Sequence, residues 1–286
     1  MDSVFFKEFL MISDIKTVIF ILVLFALFFG MKVIEKKKIA FSARMIIATI
    51  VGLILGIVLQ VVSDFSPNPM EITFISETTK WYSLFGNGFI DLIRMLVIPL
   101  IMVSIIHVIV NMKEGADIGT LTKKTLTITV IMVAISVVVG LVVGSLLKVG
   151  SGMNVQQGSA EIKEVKTIVD TLRGLIPSNP VKAMVDVNII ALVIISAFFG
   201  IGAKRMTKKY MDVVKPFIDL INALHKIIMS IAMTIIKWMP YAVIALLANT
   251  IAQRGIESIK EVGIFIIALY VSVIIMFIIQ LIAISL

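Results

Sequence analysis

Phe89-Ile-Asp-Leu-Ile-Arg-Met-Leu-Val-Ile-Pro99-Leu-Ile-Met-Val-Ser104-Ile105 is apolar apart from one hydroxyl and two charges three residues apart, and it carries a proline at its centre. Followed outward, the apolar pattern extends from Leu84 to Met112, long enough to cross a hydrocarbon core of about 30 Å at a tilt. Six further stretches read the same way: Thr17 to Ile34, Ala43 to Val62, Leu121 to Leu147, Asn188 to Ala203, Asp212 to Ala252 and Ser258 to Leu286. Backbone polar groups in lipid must be satisfied within their own segment, so runs of this kind predict helices. The expected fold class is an all-α integral membrane protein with about seven transmembrane helices. Composition agrees. The chain is 59% hydrophobic with a mean hydropathy of +1.11, and its 15% of charged residues cluster between the apolar runs.

The same composition excludes several function classes. There are no cysteines, so disulfides, thiolate catalysis and cysteine-ligated metals are ruled out. The net charge of +8 is read as topology, not as a nucleic-acid footprint, and no nucleic-acid partner is expected. Asp2, Lys7, Glu8 and Asp14 argue against a cleavable signal peptide at the N-terminus. No nucleophile elbow, phosphate-cradling loop or His-Glu-x-x-His motif is present, so no enzyme activity, catalytic residue, cofactor or metal site is expected. His107 and His225 are far apart in sequence, lack neighbouring carboxylates, and read as packing or interfacial residues.

Two places interrupt the helical pattern. Lys148 to Lys163 is polar and glycine-rich and reads as an exposed loop, followed by a short helix over Val165 to Ile176. Pro177-Ser178-Asn179-Pro180 must then break the chain, because proline lacks the amide donor and pushes its predecessor out of the helical region. The fifth span is therefore expected as one piece of a broken helix. As a single helix, Asp212 to Ala252 would be on the order of 60 Å long, twice the hydrocarbon core, so Pro240 is expected to kink it. Lys237 is placed near the outer end of that helix. Gly52 and Gly56, and again Gly140 and Gly144, stand four apart, a spacing that lets helices approach closely. Asp91 and Arg94 read as a local ion pair. No acidic residue is expected deep in a span and no polar face recurs along one, which leaves a channel reading with little support.

Orientation follows from lysine and arginine. Lys32, Lys36, Lys37, Lys38 and Arg44 follow the first span. Lys113, Lys123 and Lys124 follow the third, and Lys204, Arg205, Lys208, Lys209 and Lys215 follow the fifth. The short loops opposite hold Lys7, Lys16, Lys80, Arg254 and Lys260. The N-terminus is expected outside and the C-terminus in the cytoplasm, in a cell membrane.

Four motifs in register carry a resemblance. Phe89 to Ile105 resembles the proline-bearing helix of the dicarboxylate/amino acid:cation symporter family, which has the glutamate-transporter fold. Leu175-Ile-Pro-Ser-Asn-Pro180 resembles that family's Pro-Thr/Ser-Asn-Pro break. Ala197-Phe-Phe-Gly-Ile-Gly202 resembles the segment after it, and Trp238-Met-Pro-Tyr-Ala-Val-Ile-Ala-Leu-Leu247 its next proline-kinked helix. Arg94, Pro99, Ser104, Pro177, Asn179, Pro180 and Pro240 are the structural motif positions. The extra first span and the basic stretch Glu35 to Phe41 are similar to the L-cystine uptake branch, as are Gly52 to Gln60 and Tyr270 to Phe277.

The resemblance implies residues 1–42 as an extra helix with a basic cytoplasmic loop, and 43–286 as the N-terminal six-helix part of a symporter domain. It implies a homotrimer in the lipid bilayer, with a scaffold of the second, third, fifth and sixth spans and a moving unit that includes the fourth and seventh. The family's substrate-binding hairpins and last helices lie beyond this stretch, so an incomplete glutamate-transporter-like fold with no substrate-binding residue is expected here. Aligned without gaps, the hydroxyl ligands of the family's sodium site fall at Thr129, Met132 and Val133. Only Thr129 keeps an oxygen, as the remnant of a cation site, and apolar side chains cannot replace a cation's water. The expected function is amino-acid symport, L-cystine uptake above all, coupled to a proton or sodium ion. The alternatives are a transport-inactive scaffold that oligomerises or needs a separate C-terminal half, and a dicarboxylate or glutamate symporter.

Overall fold

A computed structural model describes residues 5, 9–66, 68–112, 118–150, 167, 173–174, 176–254 and 257–285, with side chains omitted at 118, 121–122, 257–262 and 284–285. Among the described residues the secondary structure is helical, with no strand. The helices are α1 (Ile15–Lys36), α2 (Phe41–Val62), α3 (Thr73–Val110), α4 (Ile118–Leu146), α5 (Pro180–Val185), α6 (Ile189–Thr207), α7 (Met211–Ile236), α8 (Met239–Arg254) and α9 (Glu257–Ser285). Seven of them contain a segment long and apolar enough to cross a membrane: α1, α2, α3, α4, α6, α7 and α9. Most of the helix expected over Val165 to Ile176, and most of the loop before it, lie outside the described residues.

Two elements depart from the sequence reading, each for a physical reason. α3 begins at Thr73, eleven residues before the apolar run, and its 38 residues make a rod of about 57 Å. The added turns carry Glu77, Thr78, Thr79 and Tyr82, which hydropathy treats as loop-like but which are all buried. Glu77 accepts from the backbone N–H of Ser13 (2.8 and 3.0 Å to its two oxygens) and from the Thr17 hydroxyl (2.6 Å). The Tyr82 hydroxyl donates to the Phe20 carbonyl (2.9 Å) and the Trp81 indole to that of Leu10 (3.0 Å). Thus the acid buried in α3 lies at its end, before the apolar run and beside the start of α1, with its oxygens engaged.

The second departure is Asp212 to Ala252, which is two helices and not one kinked helix. A proline ring clashes with the carbonyl four residues earlier. For Pro240 that residue is Ile236, where α7 ends; α8 restarts at Met239 after a turn at Lys237 and Trp238. Pro99 sits within α3 and does not end it.

The helices form a body and a pair. In the body, α8 packs along α2 and α3, and α1 against α3. Within lipid, helix association rests on close van der Waals packing more than on a hydrophobic effect, so small residues gather at contacts. Here Ala245, Ala248 and Ala252 of α8 are buried against α2 and α3. A Cβ added at Gly52 would lie 3.0 Å from the backbone of Ile244, and one at Gly56 would lie 2.6 Å from Ile251 Cβ. Gln60 closes the top of this seam by donating its amide to the carbonyls of Ile251 (3.0 Å) and Ala252 (2.9 Å). A second cluster joins the far end of α3 (Val103, Ile106, Val110) to Ala203 of α6 and to Val214, Ile218, Ile221 and Ile228 of α7. The pair is α4 and α9, which pack on each other. Among the described residues most of α4 is exposed, and Val143 is buried.

Candidate functional site

The chain break expected at Pro177 to Pro180 is built by capping. Pro180 occupies the first turn of α5, where its missing N–H is not needed. The Asn179 side chain accepts from the N–H groups of Val181 (2.9 Å) and Lys182 (3.2 Å). α5 lasts six residues before the chain turns through Val187, at a φ of +50°. Asn188, read from sequence as the first residue of the fifth span, is instead the cap of α6, its side chain accepting from Ala191 N–H (3.1 Å). The break thus has two steps, and Pro177, Asn179 and Pro180 lie on the surface or close to it.

On α3, Asp91 and Arg94 form the expected local pair at 3.6 Å, with both side chains more than two-thirds exposed. Pro99 and Ser104 are half-buried, while Pro240 is fully buried at the start of α8. Thr129 lies exposed on α4, as does Val133, with Met132 between them half-buried. The structure therefore brings the break motif and the proline helices into one packed body and leaves Thr129 on the α4–α9 pair. Among the described residues no group of three histidine, cysteine, aspartate or glutamate side chains could hold a metal.

Three features escape the sequence reading. His107 and His225 meet across α3 and α7 with ring centroids 4.2 Å apart, and one turn away Asn111 donates to Asn222 (2.8 Å). A polar face also recurs along a span after all. Asp212, Lys215, Asp219, Asn222, Lys226, Ser230 and Thr234 follow one another every three or four residues on α7, all exposed except the half-buried Asn222. That spacing is a helical stripe and was available in the sequence. Finally, Lys237 lies near Lys32 and Glu35 at the end of α1 that leads into the basic 37–44 loop, and not at the opposite end of its helix. The turn at Pro240 starts α8 there, after which α8 runs alongside α2 from Ile244 beside Gly52 to Ala252 beside Gln60.

Comparison with known proteins gives this geometry a lineage. The sequence profile of the sodium:dicarboxylate symporter family matches residues 41–286. The L-cystine uptake protein TcyP of Bacillus cereus is 32% identical over 267 residues, covering 88% of this chain and 56% of that protein. TcyP of Bacillus subtilis is 29% identical over 280 residues (92% and 59%), and TcyP of Bacillus licheniformis 29% over 283 (94% and 60%). The chain spans about half the length of the curated relatives it matches. Family and relatives are transporters, not enzymes. On a match that covers six-sevenths of its length, this multi-pass membrane chain belongs to the sodium:dicarboxylate symporter family.

Proposed function

We propose that this chain works in a secondary active amino-acid transporter that takes up L-cystine with a coupled cation. One observation carries the reading: a glycine-seamed body of α1, α2, α3 and α8 beside an α4–α9 pair whose surface is left open. Alternating access needs such a division between a part that stays and a part that moves. The names of the Bacillus relatives support cystine as the substrate. Met132 and Val133 beside Thr129 favour a proton over a sodium ion held by α4, because side chains without oxygen cannot replace a cation's hydration.

The exposed polar stripe of α7 supports a homotrimer. Polar groups in a span face protein or water rather than acyl chains, so that stripe needs a neighbour or an aqueous surface. The lysine and arginine bias supports a cell-membrane protein with its N-terminus outside and the C-terminal end of this stretch in the cytoplasm. Residues 1–286 alone are expected to insert in a membrane without moving cystine. A zwitterion at the midplane needs convergent polar partners, and among the described residues Asp91 and Arg94 of α3 and Asp219 of α7 stand exposed instead of gathering around an enclosed site.

Uptake of radiolabelled L-cystine into proteoliposomes tests the reading, with choline replacing sodium at a fixed pH gradient and excess L-aspartate as competitor. Saturable uptake that survives both changes is expected. Inhibition by aspartate would favour a dicarboxylate symporter. No uptake by the protein as made in the cell would favour the inactive scaffold. Strict sodium dependence abolished by Thr129→Ala would overturn the coupling assignment.

A further inference from the structure

We propose that the cleft between α1, α3 and α8 binds one anionic phospholipid from the leaflet beside the 37–44 loop. Its phosphate would lie between Lys32 and Lys237, and an acyl chain would run along an aromatic wall. The cleft encloses about 770 Å³, within the range of ligand cavities, roughly 300–1,000 Å³. Its wall is built from Phe25, Phe28, Phe29, Phe85, Phe89 and Trp238. Edge-to-face contacts hold part of that wall in place: Phe25 on Phe85 (5.5 Å), Phe28 on Phe85 (5.3 Å) and Phe28 on Tyr241 (5.6 Å). The rings of Phe29 and Trp238 are 70% and 64% exposed, so the wall opens sideways, where acyl chains are.

Charge sets the class of lipid. Of the ionisable groups lining the cleft, Glu35 is already engaged by the Arg44 guanidinium (2.9 Å) and by the Tyr241 hydroxyl (3.1 Å). Lys32 and Lys237 have no hydrogen bond or salt bridge among the described residues; the Glu35 carboxylate also feels the charge of Lys237, but Lys32, Lys237 and Arg44 are three cations against that one carboxylate, so the mouth stays positive. From Lys32 to Phe25 is seven residues of helix, about 10 Å of apolar wall leading away from the charged end. A head with one negative charge above a hydrocarbon tail matches that polarity. A second copy of this chain is the competing occupant, since Asp64, Asp186 and Asp212 also stand exposed, and cross-linking between copies separates the two.

The chain has two tryptophans, so Trp81→Phe leaves Trp238 in the cleft as the sole indole reporter. The protein is placed in nanodiscs of zwitterionic phosphatidylcholine containing increasing brominated phosphatidylglycerol or, separately, brominated phosphatidylcholine. Phosphatidylglycerol is expected to half-quench Trp238 at a mole fraction about thirtyfold lower, about fivefold for each lysine. Lys32→Gln with Lys237→Gln should abolish the difference. Native mass spectrometry of the unaltered chain covers the chance that Trp81→Phe misfolds, and should retain phosphatidylglycerol through delipidation longer than phosphatidylcholine. Equal quenching by both lipids, or equal retention of both, overturns the proposal. So does protection of Trp238 from both lipids together with disulfide cross-linking between copies at Phe29→Cys, which would put a second copy in the cleft.

Discussion

The Gly-x-x-x-Gly pairs of α2 and α4 meet opposite fates. Gly52 and Gly56 of α2 are pressed against α8, so that an added Cβ would come within 3.0 Å of neighbouring atoms at both positions. At Gly140 and Gly144 of α4 a Cβ would meet nothing within 4 Å. The helices that carry them differ in the same way. α8, the partner of the first pair, buries eight of its 16 residues, while α4 is exposed along almost its whole length. A small-residue motif permits close approach but does not say what approaches. In the body the partner is present in this stretch, and on α4 those glycines face open space.

The contrast breaks most sharply by filling the glycines. Gly52→Leu should cost the most stability, because the obstruction is the Ile244 backbone and cannot rotate away; overpacking of this kind costs about 1–3 kcal/mol or more. A fall in the detergent melting temperature should be seen for Gly52→Leu, while Gly140→Leu should leave it unchanged. If Gly140→Leu destabilised as much, α4 would be packed on that face by something in the chain itself.

Next in size is Gln60→Leu. It keeps the bulk of the side chain but strips the donor from two buried carbonyls, each left unsatisfied at about 1–3 kcal/mol. Thermal melting should register the loss, and amide exchange should speed up in the last turn of α8 before it does in α7. Thr17→Val removes one of the donors to Glu77 and should cost somewhat less, because the Ser13 amide still serves that carboxylate. Smallest is Asp91→Asn, which breaks a pair exposed on both sides and should shift the melting temperature within error, as exposed ion pairs contribute about 0–1 kcal/mol. A large loss there would mean that the pair is covered in the assembled protein.

These cases also show where the sequence is legible. Asn179, Pro180 and the spans themselves are local features, and residues two to four apart decide them. Pro240 and Pro99 are harder. Both interrupt apolar runs, but whether the helix restarts or continues depends on what packs around it, and the sequence reading expected only a kink at the first. The partners of Gln60 lie 191 and 192 positions away and those of Glu77 at least 60, so hydropathy counted Glu77 and its neighbours as loop and shortened α3. The meeting of His107 with His225 is equally non-local. The α7 stripe is different: its period was present in the residues, and the apolar total of the run concealed it.

The division into body and pair is directly measurable by site-specific labelling, because residues 1–286 contain no cysteine. Spin labels at Ile54→Cys and Val137→Cys report the distance from α2 to α4; labels at Ile54→Cys and Leu84→Cys report one within the body, and all three sites are exposed. Double electron–electron resonance is recorded on the protein as made in the cell, with and without L-cystine at an imposed pH gradient. The expected result is a shift of several ångströms in the first distance, with the second unchanged. Two unchanged distances, or two that shift together, would contradict it.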